Sequence, residues 1–389
     1  MEEPVKKESM LPQGISNAQK VARQRLDGRP RWQTYLVQLV VCLAIGLLLG
    51  AVIILAVQQN VLEVYAALIR EAFFTPLGIM IGIQRATPLL LTAAAAVAAF
   101  RGGAINMGLE GQFMVGAAAA AIAGGALPEM PRWAAVLIVF VISGIMGAAA
   151  GWVPAFFKVV SGVSEVITGM IANLIMPSLL SIFLSLPLIR LVRSAARGGV
   201  QPWAQLDQFA DLTHGGWGYG TKANTGIFAA LIIVALLGFV YQRTRTGYRI
   251  RIASANFKFA EFAGINARRQ FYAAMMISGA VAGMAGATEI LGVWRGYNLN
   301  TISVGYNGLL IALAGGNTFG GATLAALIYG GLQSGAMNAS WATSIPRPLI
   351  DVLVEILVVF AAVPSMRIFF SGSGYSDSER LGGQFTHKD

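Results

Sequence analysis

RGGAINMGLEGQFMVG, residues Arg101 to Gly116, is the stretch that decides how this chain folds. It lies between two apolar, alanine-rich runs, Ala86 to Phe100 and Phe113 to Leu127, so Asn106, Glu110 and Gln112 stand in an otherwise oily landscape. Each run has 15 residues, roughly 22 Å as helix, against the ~30 Å hydrocarbon core of a bilayer. Neither run is expected to cross alone. Polar, glycine-rich backbone at membrane depth is tolerated only where protein or a water-filled cavity receives it, so the stretch reads as a broken helix facing a pathway. The competing reading is an ordinary cytoplasmic loop between two short spans, with Arg101 marking an interface.

Composition bounds the class. With 389 residues, 56% of them hydrophobic and 12% charged, and a mean hydropathy of +0.65, the chain carries more apolar surface than a water-soluble core of ordinary proportions can hide. It is expected to be an all-α integral membrane protein. The 28 Lys and Arg exceed the 18 Asp and Glu, but they fall in short segments between apolar runs, as the positive-inside rule requires, and no nucleic-acid role is expected. Cys42 is the single cysteine, and His214 and His387 are far apart, so neither a disulfide framework nor a Cys or His metal site is expected.

Catalytic motifs are missing as well. The nearest approach to a phosphate-cradling loop, Gly215 to Lys222, has Thr221 where the lysine belongs, and there is no HExxH or G-x-S-x-G. No enzyme activity and no cofactor are expected. If the protein moves a solute, its energy enters from elsewhere.

Residues 1–35 are polar and carry seven Lys or Arg, forming an N-terminal tail expected in the cytoplasm. The run after it, Leu36 to Val57, is too long for the h-region of a cleaved signal and reads as the first span. Asn60 to Thr75 has the spacing of a helix lying on the outer surface. Arg85 either snorkels to the outer interface or points into the bundle. Ala134 to Phe157 is a span rich in Gly and Ala, which lets neighbouring helices approach closely. Ser161 to Pro187 is a second polar intrusion: Glu165 suits a helix N-terminus, while Asn173 is either glue to a neighbour or part of a polar lining.

Four Lys or Arg in the 35 residues Arg190 to Asn224, against seven in the 28 residues Arg243 to Gln270, place the first loop outside and the second inside. Gly226 to Gln242 is the span between them. In the inside loop, Ala255, Phe259, Phe262 and Ala263 share one face of a short helix and Ser254, Lys258 and Glu261 the other, with Gly264 placed to stop it. That helix is expected to lie on membrane lipid or to dock into a soluble partner. Phe271 to Leu291 resumes as a span, with Glu289 near its outer end and Trp294, Arg295, Tyr297 and Asn298 at an interface.

GYNGLLIALAGGNTFGG, Gly305 to Gly321, repeats the design of the opening stretch and hints at an internal repeat. Ala322 to Met337 and Pro348 to Phe369 are further spans, and 371–389 is a Gly/Ser-rich tail expected to be disordered. The whole is a polytopic transmembrane bundle over 36–370, of about nine or ten helical spans, some broken or re-entrant.

FRGGAINMGLEGQFMVGA, SEVITGMIANLI, TGYRIRIASANFKFAEFAGIN and GYNGLLIALAGGNTFGG, in that order, resemble the permease subunits of bacterial ATP-binding-cassette importers for nucleosides and simple sugars. The resemblance runs from about Thr87 to Pro364, and the NMGLEGQ form is closer to the nucleoside-type permeases than to the ribose permeases. It implies an assembly in the bacterial inner membrane of two permeases, two cytoplasmic ATPase subunits and a periplasmic or lipid-anchored binding protein. Residues 243–270 would be the coupling loop, with Ala255, Asn256, Phe259, Ala260, Phe262, Ala263 and Gly264 meeting the ATPase. Asn106, Glu110, Gln112, Asn173 and Asn307 would line or support the solute route, or tie helices together. The chain departs from the family near Phe257 and Phe259, where a small or charged residue is common. Two other readings remain at this point: an ion-coupled secondary transporter using Glu110 and Glu289, and a membrane enzyme acting on lipid-linked substrates.

Overall fold

The computed structural model describes residues 31–185, 199–212, 220–297, 303–343 and 345–372. Residues 1–30 and 373–389 of the two tails, residues 213–219 and Asn298 lie outside these. Thirteen labelled helices carry the fold: α1 Arg31–Ala56, α2 Val61–Phe73, α3 Pro76–Arg101, α4 Leu109–Ala126, α5 Arg132–Ser161, α6 Glu165–Ser185, α7 Gly226–Arg243, α8 Arg245–Ala255, α9 Phe257–Phe262, α10 Ala267–Thr288, α11 Val304–Ala314, α12 Phe319–Thr343 and α13 Arg347–Gly372. Among the described residues there is no strand, only an isolated bridge between Gln208 and Asn224. Among the described residues, seven helices are long and apolar enough to cross a membrane: α1, α3, α5, α6, α7, α10 with its extension, and α13. The fold is a polytopic helical bundle.

Its axis is α3. Every residue from Ala86 to Phe100 is buried, and α10, α11, α12, α7 and α2 all pack against it. A helix surrounded on all sides needs small, apolar side chains around its whole circumference, and the alanine run provides them. The expectation that Ala86 to Phe100 is too short to cross is corrected here. The helix starts ten residues earlier at Pro76, where Thr75 accepts the Gly78 N–H at 3.1 Å and proline fills the first position. Pro88 does not break it.

Other starts follow the same local rules. Asn60 accepts from Leu62 N at 3.0 Å, Asn256 from Phe259 N at 2.9 Å and Asn266 from Arg269 N at 2.9 Å. At the edge of the bundle, α1 packs on α13 and exposes Val40, Leu48, Val52 and Leu55. Ile171 and Leu174 of α6 and Phe228, Ile232 and Phe239 of α7 face outward in the same way. Apolar surface on that scale belongs in a bilayer.

Three details differ from the sequence reading. The inside loop is not one short helix: the chain breaks at Thr244, at Asn256 (φ −156°, ψ 109°) and again from Ala263 to Asn266. Gly264, at φ 71°, takes the left-handed conformation just past α9. Glu165 does more than face its own helix start, because Lys158 Nζ in the last turn of α5 lies 3.1 Å from it, with side-chain exposures of only 11% and 4%. Finally, α10 ends in a π-helical turn, Glu289–Trp294. Its loosened carbonyls are taken up from the 199–225 segment: Leu206 N–H donates to Leu291 O at 3.0 Å and Gln208 Nε2 to Gly292 O at 2.9 Å.

Candidate functional site

Two helices begin inside the bundle, and their first turns meet. After α3 ends at Arg101, residues 102–108 fold back along it until Asn106 reaches Ser278, which itself donates to Ala95 O at 2.8 Å. Ala95 is six residues above the end of α3, about 9 Å at helical rise, so α4 starts well within the bundle. The 11-residue α11 is about 16 Å long, half a hydrocarbon core. It runs beside α3 from Thr92, which donates to Val304 O at 3.2 Å, to Arg101, whose Nε donates to Asn317 O at 3.2 Å.

Glu110 joins the two starts. Its carboxylate, 2% exposed, accepts Ser303 N–H at 3.0 Å and Gly305 N–H at 2.6 Å. It lies in the first turn of α4 and caps α11, so one negative charge meets the positive ends of two helices. These charge-assisted bonds offset the cost of burying the carboxylate. The contact requires glycine, because a Cβ on Gly305 would run into Leu109 and Glu110 backbone, and one on Gly308 into Thr92.

Asparagines tie the surrounding elements. Asn106 (1% exposed) and Gln112 (2% exposed) exchange hydrogen bonds of 2.7 and 3.0 Å. Asn106 also donates to Ser278 Oγ at 2.9 Å and accepts Gly108 N–H at 3.1 Å, which uses its full capacity. Asn173, on α6, accepts Gly111 N–H at 2.8 Å and donates to Met107 O at 2.7 Å and to Tyr306 Oη at 2.9 Å. It therefore links α4, the 102–108 loop and α11. Asn307 is half-buried beside Tyr306, which is 37% exposed. Tyr306 and Ser278 were not singled out in the sequence: one hides beside Asn307, the other in a run of small residues.

At the far end of α11, α8 and α9 present the segment read as a docking element. Phe262 is 92% exposed and Phe259 59%, while Ala260 is fully buried under them. Ala255, Asn256, Ala263 and Gly264 are exposed. Arg245, Arg249, Arg251, Lys258, Arg268 and Arg269 are exposed around them. Among the described residues no group of three or more His, Cys, Asp or Glu comes together to hold a metal ion.

A membrane bundle in which two internal helix starts are pinned by one carboxylate, with exposed aromatics at one end, has the build of a transport permease. The family described as branched-chain amino acid transport system / permease component matches residues 78–362, and the chain belongs to it. It is thus the permease component of a transport system and not an enzyme. It is 30% identical over 329 residues to the guanosine ABC transporter permease protein NupP of Bacillus subtilis (strain 168), covering 83% of this chain and 91% of that one. It is 28% identical over 331 residues to the nucleoside ABC transporter permease protein NupB of Lactococcus lactis subsp. cremoris (83% and 89% covered). With the glucose ABC transporter permease protein TsgB13 of Haloferax volcanii it shares 25% identity over 351 residues (86% and 90% covered). No solved structure matches the chain.

Proposed function

We propose that this chain is the membrane subunit of an ATP-binding-cassette importer that carries nucleosides across a bacterial inner membrane. The observation that carries the reading is its similarity, over nearly its whole length, to permeases named for guanosine and nucleosides. In this reading residues 36–370 form the transmembrane permease domain and 243–270 the coupling segment. The basic α8–α9 end and the N-terminus face the cytoplasm, by the excess of Lys and Arg there. Phe259 and Phe262 dock into a separate ATPase subunit as exposed aromatic anchors, with Ala255, Asn256, Ala260, Ala263 and Gly264 shaping the contact. A second permease subunit completes the route, a periplasmic or lipid-anchored binding protein delivers solute to the opposite end, and lipid surrounds α1, α6 and α7.

The solute passes beside Tyr306 and Asn307. An aromatic ring next to an amide suits a base and its sugar, while Asn106, Glu110, Gln112 and Asn173 hold the helices that frame the route. Glu110 is committed to the start of α11, and Glu289 is buried near Arg85, Lys222 and the Trp294 indole. Glu110, with both carboxylate oxygens held by backbone amides, is not free to serve as an ion carrier, which argues against a secondary transporter built on it. The test is uptake by cells of labelled guanosine, adenosine, uridine, ribose and glucose, with and without the gene for this chain. Loss of nucleoside uptake alone supports the proposal, and loss of sugar uptake alone refutes it.

A further inference from the structure

Movement at α8 and α9 has to reach the α4–α11 junction, yet the chain breaks at Thr244, Asn256 and Ala263 to Asn266. A rigid continuation into the spans is therefore not what carries it. A different connection is present. Ser254, in the last turn of α8, donates from Oγ to Arg101 O, the terminal carbonyl of α3, at 3.0 Å. It also lies against Gly103, where a Cβ would meet Ser254 Cβ at 2.9 Å and Cα at 3.2 Å, and where φ is +76°.

The loop that begins there is stiff. Gly102 and Ala104 N–H return to Ala99 O at 2.9 and 3.0 Å, Gly103 N–H to Phe100 O at 3.1 Å, and Met107 N–H to Ile105 O at 3.1 Å. A Cβ on Gly102 would strike Ala274, so the loop is wedged between α8 and α10. Its far end holds Asn106 and Met107, which grip Gln112, Ser278 and Asn173. Five residues thus separate the α8 contact at Arg101 from the grip on α6 at Met107.

We infer that Ser254 is a positioning residue that couples the ATPase-facing helices to the solute route through the 102–108 loop, resting on the importer reading above. Its chemistry fits a latch. A serine hydroxyl has one proton, and Ser254 Oγ has two acceptors within reach, Arg101 O at 3.0 Å and Arg251 O of its own helix at 2.9 Å. When α8 moves away, the proton swings to Arg251 O, so the latch opens without leaving a buried donor unsatisfied. Arg101 spreads the same motion to the turn that joins α11 to α12, because its Nε holds Asn317 O and its guanidinium lies 5.5 Å from the Phe319 ring centroid.

The test uses the complete transporter, reconstituted with its ATPase, second permease and binding protein, and reads solute imported per ATP hydrolysed. A merely structural role would lower both quantities together. In Ser254→Ala the ratio falls about fivefold, the worth of one neutral hydrogen bond, while hydrolysis continues. A wild-type ratio in Ser254→Ala overturns the inference. If that variant fails to assemble, Ser254→Cys, near-isosteric with a weak donor, decides: a lowered ratio supports the latch and an unchanged one overturns it. A wild-type complex without ATP-dependent uptake removes the importer reading itself, and this inference with it.

Discussion

The carboxylate of Glu110 lies 2.6 Å from the backbone nitrogen of Gly305, 195 residues further along the chain. Its other oxygen takes Ser303 N–H, so the acid caps the start of α11 from the first turn of α4. Glu110→Gln keeps one carbonyl and turns an amide donor toward a backbone donor. The expected cost is about 1.5–3 kcal/mol, the range for hydrogen bonds to charged groups, seen as a lowered thermal midpoint of the purified protein in detergent. A midpoint equal to wild type would show that the cap contributes nothing.

Asn173 separates its two chemical roles. In Asn173→Asp the oxygen that accepts Gly111 N–H survives, but both donated bonds, to Met107 O and Tyr306 Oη, are lost and a carboxylate faces a carbonyl. Uptake should fall further in Asn173→Asp than in Asn173→Ala, by about tenfold if the repulsion costs 1.4 kcal/mol. A rate in Asn173→Asp equal to wild type would place the asparagine's donors outside the working structure.

Lys158 and Glu165 join the end of α5 to the start of α6 almost without solvent. Removing one partner leaves a charge buried alone, so Lys158→Ala is expected to destabilise by about 3–5 kcal/mol, whereas the double replacement Lys158→Met with Glu165→Leu is close to neutral. Thermal unfolding of the two variants distinguishes this from a weak surface pair, for which both would lie near wild type.

Phe262, almost fully exposed, makes the opposite prediction. Phe262→Glu should leave stability within about 0.5 kcal/mol, as for other surface positions, yet abolish the ATPase contact. The expected outcome is normal expression, loss of co-purifying ATPase and loss of uptake. Continued uptake at the original rate would remove Phe262 from the docking surface.

Much of this arrangement was legible in the sequence. Composition and the spacing of apolar runs place the chain in a membrane, and the polar islands at Asn106 and Asn307 mark the two internal helix starts. Harder to read was where polar groups find partners. Glu110 meets Ser303 and Gly305 from the far side of the fold, and no local pattern announces a contact of that range. Arg85, just ahead of the alanine-rich run, reads as an interface residue, but Thr75 and Pro76 start α3 earlier and tertiary packing carries the helix through Pro88. Asn256 looked like one more residue of a short helix, although its readiness to cap is what breaks α8 from α9. The π turn at Glu289 has no signature in the run EILGVW, because it depends on Gln208 and Leu206 arriving from another segment.

The central claim is that this permease works only with a separate ATPase. It is tested most directly by loading purified protein into vesicles, alone and together with the ATPase and binding protein, and following labelled guanosine. The account predicts accumulation only in the complete assembly, dependent on ATP and indifferent to an uncoupler. Accumulation by this chain alone under an imposed ion gradient, abolished by that uncoupler, would contradict it.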